Sequence, residues 1–118
     1  MKYFAVAVVV LALFYLFRSN IDDATLMDAH EAYARGAIII DVRTPSEYQS
    51  KHIDGAINLP LQSLGPSMNQ LDKEKELIVY CRSGNRSATA TKMLREKGFT
   101  VYDVATQADW ERQIKATD

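Results

Sequence analysis

Apolar residues along this chain fall into blocks of different periodicity, and each block predicts its own element. Residues 3–17 are uncharged and almost wholly apolar, lie between Lys2 and Arg18, and show no polar stripe that would mark an outward face. Such a block predicts one hydrophobic N-terminal helix. In residues 24–35, by contrast, Leu26, Met27, His30 and Tyr33 recur at helical spacing, cap-type residues stand at 20–23, and Gly36 follows as a stop. That pattern predicts a separate helix. Residues 37–42 and 77–80 are short apolar runs, the first rich in isoleucine and interrupted only at Asp41, as expected of strands buried on both faces.

Between these blocks the polar residues act as punctuation. Thr44-Pro45-Ser46-Glu47 combines a threonine cap, proline at the first helical position and glutamate three residues after the cap, so a short helix must begin there. Residues 56–59 predict a brief strand closed by Pro60, and residues 61–71 a weak helix broken by Gly65 and Pro66. A helix over 87–97 stops at Gly98, and a strand over 99–104 precedes a last helix over 109–115. Strand and helix alternate throughout. The expected fold is therefore α/β, an open, mainly parallel sheet with helices on both faces, preceded by one hydrophobic N-terminal helix. With 118 residues and no internal repeat, this divides into residues 1–19 as a transmembrane anchor or signal segment and residues 20–118 as one domain.

The N-terminal block also carries an expectation about location. Its length suits a signal core better than a full span of about 20 residues, although a short span can thin the bilayer. The run closes in the bulky Leu13-Phe14-Tyr15-Leu16-Phe17 and Arg18, where a cleavable signal would end in small residues. An uncleaved membrane anchor through residues 3–17 is expected, with a removed signal and a secreted chain as the alternative. Lys2 and the amino terminus slightly outweigh Arg18, which Asp22 and Asp23 follow. Positive-inside reasoning then puts the domain on the periplasmic or extracytoplasmic side.

Charge elsewhere narrows the function classes. Lys and Arg number 14 against 15 Asp and Glu, so no broad basic face advertises nucleic acid. The single cysteine, Cys81, excludes an internal disulfide and a C-x-x-C metal or redox pair. It is either a core residue or a reactive one. Its position argues for reactivity, because it ends the 77–80 strand just before a helix, the edge where open α/β sheets hold ligands. The loop Cys81-Arg82-Ser83-Gly84-Asn85-Arg86-Ser87 has the makings of an anion cradle of inward N–H groups at a helix N-terminus. Arg82 and Arg86 add cationic guanidinium groups and Gly84 allows an unusual backbone angle. These surroundings lower a thiol pKa and stabilise the thiolate, the nucleophilic form.

With these residues in view, residues from about 20 to 110 resemble a single-domain rhodanese. Ile40-Asp41-Val42-Arg43 with Thr44-Pro45-Ser46-Glu47-Tyr48 matches the family's first motif, His52-Ile53-Asp54-Gly55-Ala56-Ile57-Asn58-Leu59-Pro60 its second, and the cysteine loop its third. The resemblance implies a ping-pong sulfurtransferase. Cys81 would take sulfane sulfur from a small anionic donor such as thiosulfate and pass it, as a persulfide, to cyanide or a thiol. It implies no metal and no organic cofactor. Carried over by residue, the backbone from Arg82 through Ser83, Gly84, Asn85 and Arg86 to Ser87 cradles the sulfur, and Arg86 helps hold the loop or the incoming anion. Asp41 and Arg43 support the site, as scaffold more than chemistry, together with Glu47. His52, a candidate base for the thiol, falls in a turn motif that favours a structural role. His30 carries no functional signal.

One stretch departs from the resemblance. Ala105-Thr106 stands where the family usually has two glycines, ahead of Trp110, which bears on the pocket wall and on acceptor preference. Two other readings compete. A membrane-tethered, non-catalytic rhodanese-like module would bind a partner or sense persulfides. Cysteine phosphatases use the same cradle, but with five residues between cysteine and arginine where this chain has four.

Overall fold

The computed structural model describes residues 3–117. Four parallel strands form one sheet in the order β2-β1-β3-β4, where β1 is Ile38–Asp41, β2 Ile57–Asn58, β3 Leu77–Cys81 and β4 Val101–Thr106. The helices are α1 (Phe4–Ala34), α2 (Pro45–Ser50), α3 (Leu64–Ser67, flanked by tight 3₁₀ turns), α4 (Asn85–Glu96) and α5 (Gln107–Thr117). Successive strand residues point to opposite faces, and both faces are covered. Ile39, Ile78, Tyr80 and Val104 pack with Leu26, Ala29 and Ala32 of α1 and Trp110 of α5. Ile40, Leu77, Val79, Cys81 and Val101 pack on the other face with Leu64, Ala90 and Leu94 of α3 and α4. This double burial is why the strands read as continuous apolar runs.

The separate helix expected from residue 24 is part of a longer one. No glycine or proline interrupts residues 4–34, so nothing ends the helix at the cap-type residues, and α1 runs unbroken. Its later part buries Leu26, Ala29 and Ala32, whereas Val6, Val8, Val9, Val10, Leu11 and Leu13 are exposed. The expected membrane anchor through residues 3–17 is corrected, and with it the extracytoplasmic placement and the secreted alternative. Among the described residues no helix is long and apolar enough to cross a membrane. A fifteen-residue apolar run rises about 22 Å at about 1.5 Å per residue, short of a hydrocarbon core about 30 Å thick. Lys2, on which the orientation leaned, lies outside the described residues.

Two further boundaries moved for local reasons. Residues 61–71 form turns around the short α3 and not one helix, as Gly65 and Pro66 disfavour continuation. β4 reaches past residue 104 to Thr106, whose side chain then caps α5: Asp109 N donates to Thr106 Oγ1 at 3.1 Å, and that hydroxyl donates to Asp109 Oδ2 at 2.9 Å.

Candidate functional site

β3 delivers Cys81 to the carboxyl edge of the sheet, where the side chain is 2% exposed. The chain then turns through Arg82 and Ser83 to Gly84, which caps α4 with a left-handed φ of 98°, a region open to glycine at little cost. This turn aims backbone N–H groups at the sulfur: Gly84 N donates to Sγ at 3.0 Å and Ser87 N at 3.3 Å. The Ser87 hydroxyl ties the turn back on itself, donating to Gly84 O at 3.1 Å. Burial alone pushes the Cys81 thiol up, but hydrogen bonding from Ser87 and from the N–H groups of Gly84 and Ser83 outweighs it, so the pKa lies below its ordinary value. The positive end of α4 acts in the same direction.

Arg86 pairs with Glu47. Its Nη1 donates to Glu47 Oε1 at 2.7 Å and its Nη2 to Oε2 at 3.0 Å, a bidentate pair. This pairing holds the Glu47 carboxyl down at about 2 and the guanidinium above its ordinary value. Glu47 is itself fixed by the start of α2. Thr44 Oγ1 accepts from Glu47 N at 3.2 Å, and Glu47 Oε1 accepts from Thr44 N at 3.2 Å, the reciprocal capping box expected from the sequence. Arg86 therefore anchors the end of the cysteine loop to the neighbouring crossover. Arg82, Ser83 and Asn85 are exposed around the rim. A cleft of about 280 Å³ lined by Val42, Thr44, Pro60, Leu61, Gln62 and Arg86 meets the loop at Arg86.

Beneath this edge Asp41 is fully buried. Its Oδ2 takes Arg43 Nη2 at 2.7 Å and the Tyr80 hydroxyl at 2.8 Å, and its Oδ1 takes the backbone N–H of Arg43 at 2.8 Å. The Tyr80 oxygen in turn accepts from Ile53 N at 3.1 Å. Burial and the adjacent carboxylate push the Tyr80 phenol up, so it stays protonated and donates. Asp41 and Arg43 thus bind β1, β3 and the turn at Ile53 together without touching the sulfur. His52 is engaged elsewhere: its Nδ1 lies 2.7 Å from the Tyr48 carbonyl, which makes Nδ1 the donor, and its ring stacks on Tyr48 at 3.8 Å.

Of the residues singled out from sequence, Gly84, Ser83 and Ser87 converge on Cys81, Arg86 holds the loop, and Arg82 and Asn85 stand at the rim. Two participants were not visible as such. Glu47 read as scaffold although it is the partner of Arg86, and the capping box was the signal that its carboxylate was already positioned. Tyr80 read as one more apolar strand residue, and only the fold shows its hydroxyl on Asp41.

Comparison with known proteins places the chain among relatives. The rhodanese-like domain family matches residues 23–106. The chain is 40% identical over 80 residues to the tRNA sulfurtransferase of Thermoplasma acidophilum, covering 68% of this chain and 16% of that protein. It is 32% identical over 115 residues to the uncharacterized protein YqhL of Bacillus subtilis, covering 96% and 91%, and 41% identical over 63 residues to the thiosulfate sulfurtransferase PspE of Escherichia coli, covering 52% and 61%. Among solved structures, a rhodanese-related protein of Thermoplasma volcanium superposes with a TM-score of 0.64 at 31% identity, covering 75% of this chain and 88% of that one.

Proposed function

Because the chain belongs to the rhodanese-like domain family, we propose that it is a sulfurtransferase carrying sulfane sulfur on Cys81, with residues 20–118 as the sulfur-transfer unit. The observation that supports this most directly is the pair of N–H groups from Gly84 and Ser87 directed at the Cys81 sulfur. A thiolate is favoured there, and an added anionic sulfur would meet the same cradle of residues 82–87. In the first half-reaction the Cys81 thiolate attacks the outer sulfur of thiosulfate. The S–S bond breaks, sulfite departs with its electron pair, and a Cys81 persulfide anion remains. In the second, cyanide or a thiolate attacks the outer sulfur of that persulfide, forming thiocyanate or a new persulfide and returning the Cys81 thiolate. Oxidation states balance without an external oxidant or a cofactor. The rim residue Arg82 is the cation we assign to the incoming anion, since the guanidinium of Arg86 is already paired with Glu47.

The test is direct. Thiosulfate should add the mass of one sulfur atom to Cys81 of the full chain, and cyanide should remove it with formation of thiocyanate. Cys81→Ser should abolish both while leaving the circular dichroism spectrum unchanged. Sustained thiocyanate formation by that variant would exclude Cys81 as the carrier.

A further inference from the structure

The bend of β4 beside the cysteine loop supplies an inference that builds on Cys81 as the sulfur carrier. Register between β3 and β4 shifts at Val79/Tyr80: Val79 pairs with Asp103, but Tyr80 pairs with Ala105 and Cys81 with Thr106. Val104 is the extra residue of a bulge, a device that re-aims side chains near sites. Directly after it, Ala105 has φ 65°, the one positive φ at a non-glycine position among the described residues. L-residues adopt this region reluctantly, and here the Asp103 side chain helps hold it, with Oδ1 accepting from Ala105 N at 2.9 Å.

The resulting direction of the Ala105 methyl is what matters. A side chain placed on Gly84 would meet Ala105 Cβ at 3.4 Å, so the methyl stands beside the open face of Gly84. Gly84 has no side chain to restrain its own peptide plane, yet its N–H lies closer to the Cys81 sulfur than that of Ser87, at 3.0 Å against 3.3 Å. The Ser87 hydroxyl holds the carbonyl of the same residue. We propose that Ala105 is a positioning residue: its methyl, presented by the β4 bulge, buttresses Gly84 so that the Gly84 N–H stays on the Cys81 sulfur. The backbone strain at Ala105 then has a function, because glycine would fit the bulge more easily but would leave Gly84 unsupported.

The experiment compares Ala105→Gly, which removes the methyl, with Ala105→Ser, which keeps Cβ. The readout is the pH profile of Cys81 alkylation by iodoacetamide, which reports the thiolate and does not require sulfur transfer. With the donor loosened, A105G should shift the midpoint upward and lower the thiolate fraction below the midpoint by on the order of threefold. Thiocyanate formation should fall in parallel, and the melting temperature should not drop, since glycine accepts this backbone angle. A105S should follow the parent profile. An A105G profile that superimposes on the parent overturns the proposal, and so does an equal shift in both variants, which would mean Cβ is not what acts. If the parent forms no thiocyanate while A105G alone shifts the alkylation midpoint, the positioning role stands and the sulfurtransferase reading fails.

Discussion

Glu47 shows how a residue outside the cysteine loop bears on it. The carboxylate caps α2 through Thr44 and receives both guanidinium nitrogens of Arg86, so protonating it weakens two elements at once. Its folded-state pKa of about 2 lies below the ordinary value of 4.5. The stability it contributes is therefore complete above about 4.5 and is lost as pH falls towards about 2. Since the pair is only partly buried, its worth is roughly 1 kcal/mol. Glu47→Gln should lose about that much in urea denaturation at neutral pH. It should also show a flatter decline in stability than the parent between about pH 4.5 and about pH 2. Parallel acid limbs in the two proteins would show that the decline belongs to other carboxylates. The capping role of Glu47 was legible from four consecutive residues. Its pairing with Arg86 was not, since 39 positions separate them and only the packing of α2 beside the loop brings them together.

On the scale of elements, the proposed sulfur transfer puts the anion in the strand-loop-helix unit of β3 and α4, whose length bears on which anion would fit. Four residues, Arg82 to Asn85, separate Cys81 from Arg86, and both ends are pinned, one by the sheet and the other by Glu47. We infer from this length that the ring suits a single sulfur atom and that a tetrahedral phosphoryl group would meet the loop backbone before its phosphorus reached the sulfur. Misplacement of about 1 Å can cost on the order of a hundredfold in rate. Hydrolysis of a chromogenic aryl phosphate should thus be negligible beside thiocyanate formation, and inserting one residue between Cys81 and Arg86 should raise it relative to sulfur transfer. Comparable rates of the two reactions in the parent would contradict the loop-length argument. Element types were readable here because apolar runs, caps and glycine stops act over a few residues. The extent of β4 was not, because the bulge and the left-handed Ala105 arise from pairing with β3.

For the whole molecule, the two helices α1 and α5 close one face of the sheet through Trp110. This side chain is 2% exposed, stacks on His30 at 3.9 Å and meets Tyr33 edge-on at 5.7 Å. Removing so large a buried ring leaves a cavity, and Trp110→Ala should destabilise the protein by about 3–5 kcal/mol. It should do so without shifting the alkylation midpoint of Cys81, which packs on the opposite face of the sheet with α4. A loss below about 1 kcal/mol in chemical denaturation would mean that the α1–α5 layer is not part of the cooperative core.

The order of strands and helices, the capping box at Thr44 and the place of Cys81 at a strand end are all determined by the sequence itself. Each depends on residues within a turn or two of one another, where periodicity, cap chemistry and backbone preference act directly. The length of α1 belongs with these in principle, since it follows from the absence of a breaker between residues 4 and 34. Only the tertiary structure decided which face each helix covers, that Arg86 turns to Glu47 and that Tyr80 donates to Asp41. It also decided that the Ala105 methyl meets the Gly84 turn. Those contacts join residues brought together by parallel crossovers, and a crossover leaves no local pattern from which the partner of a particular side chain can be read.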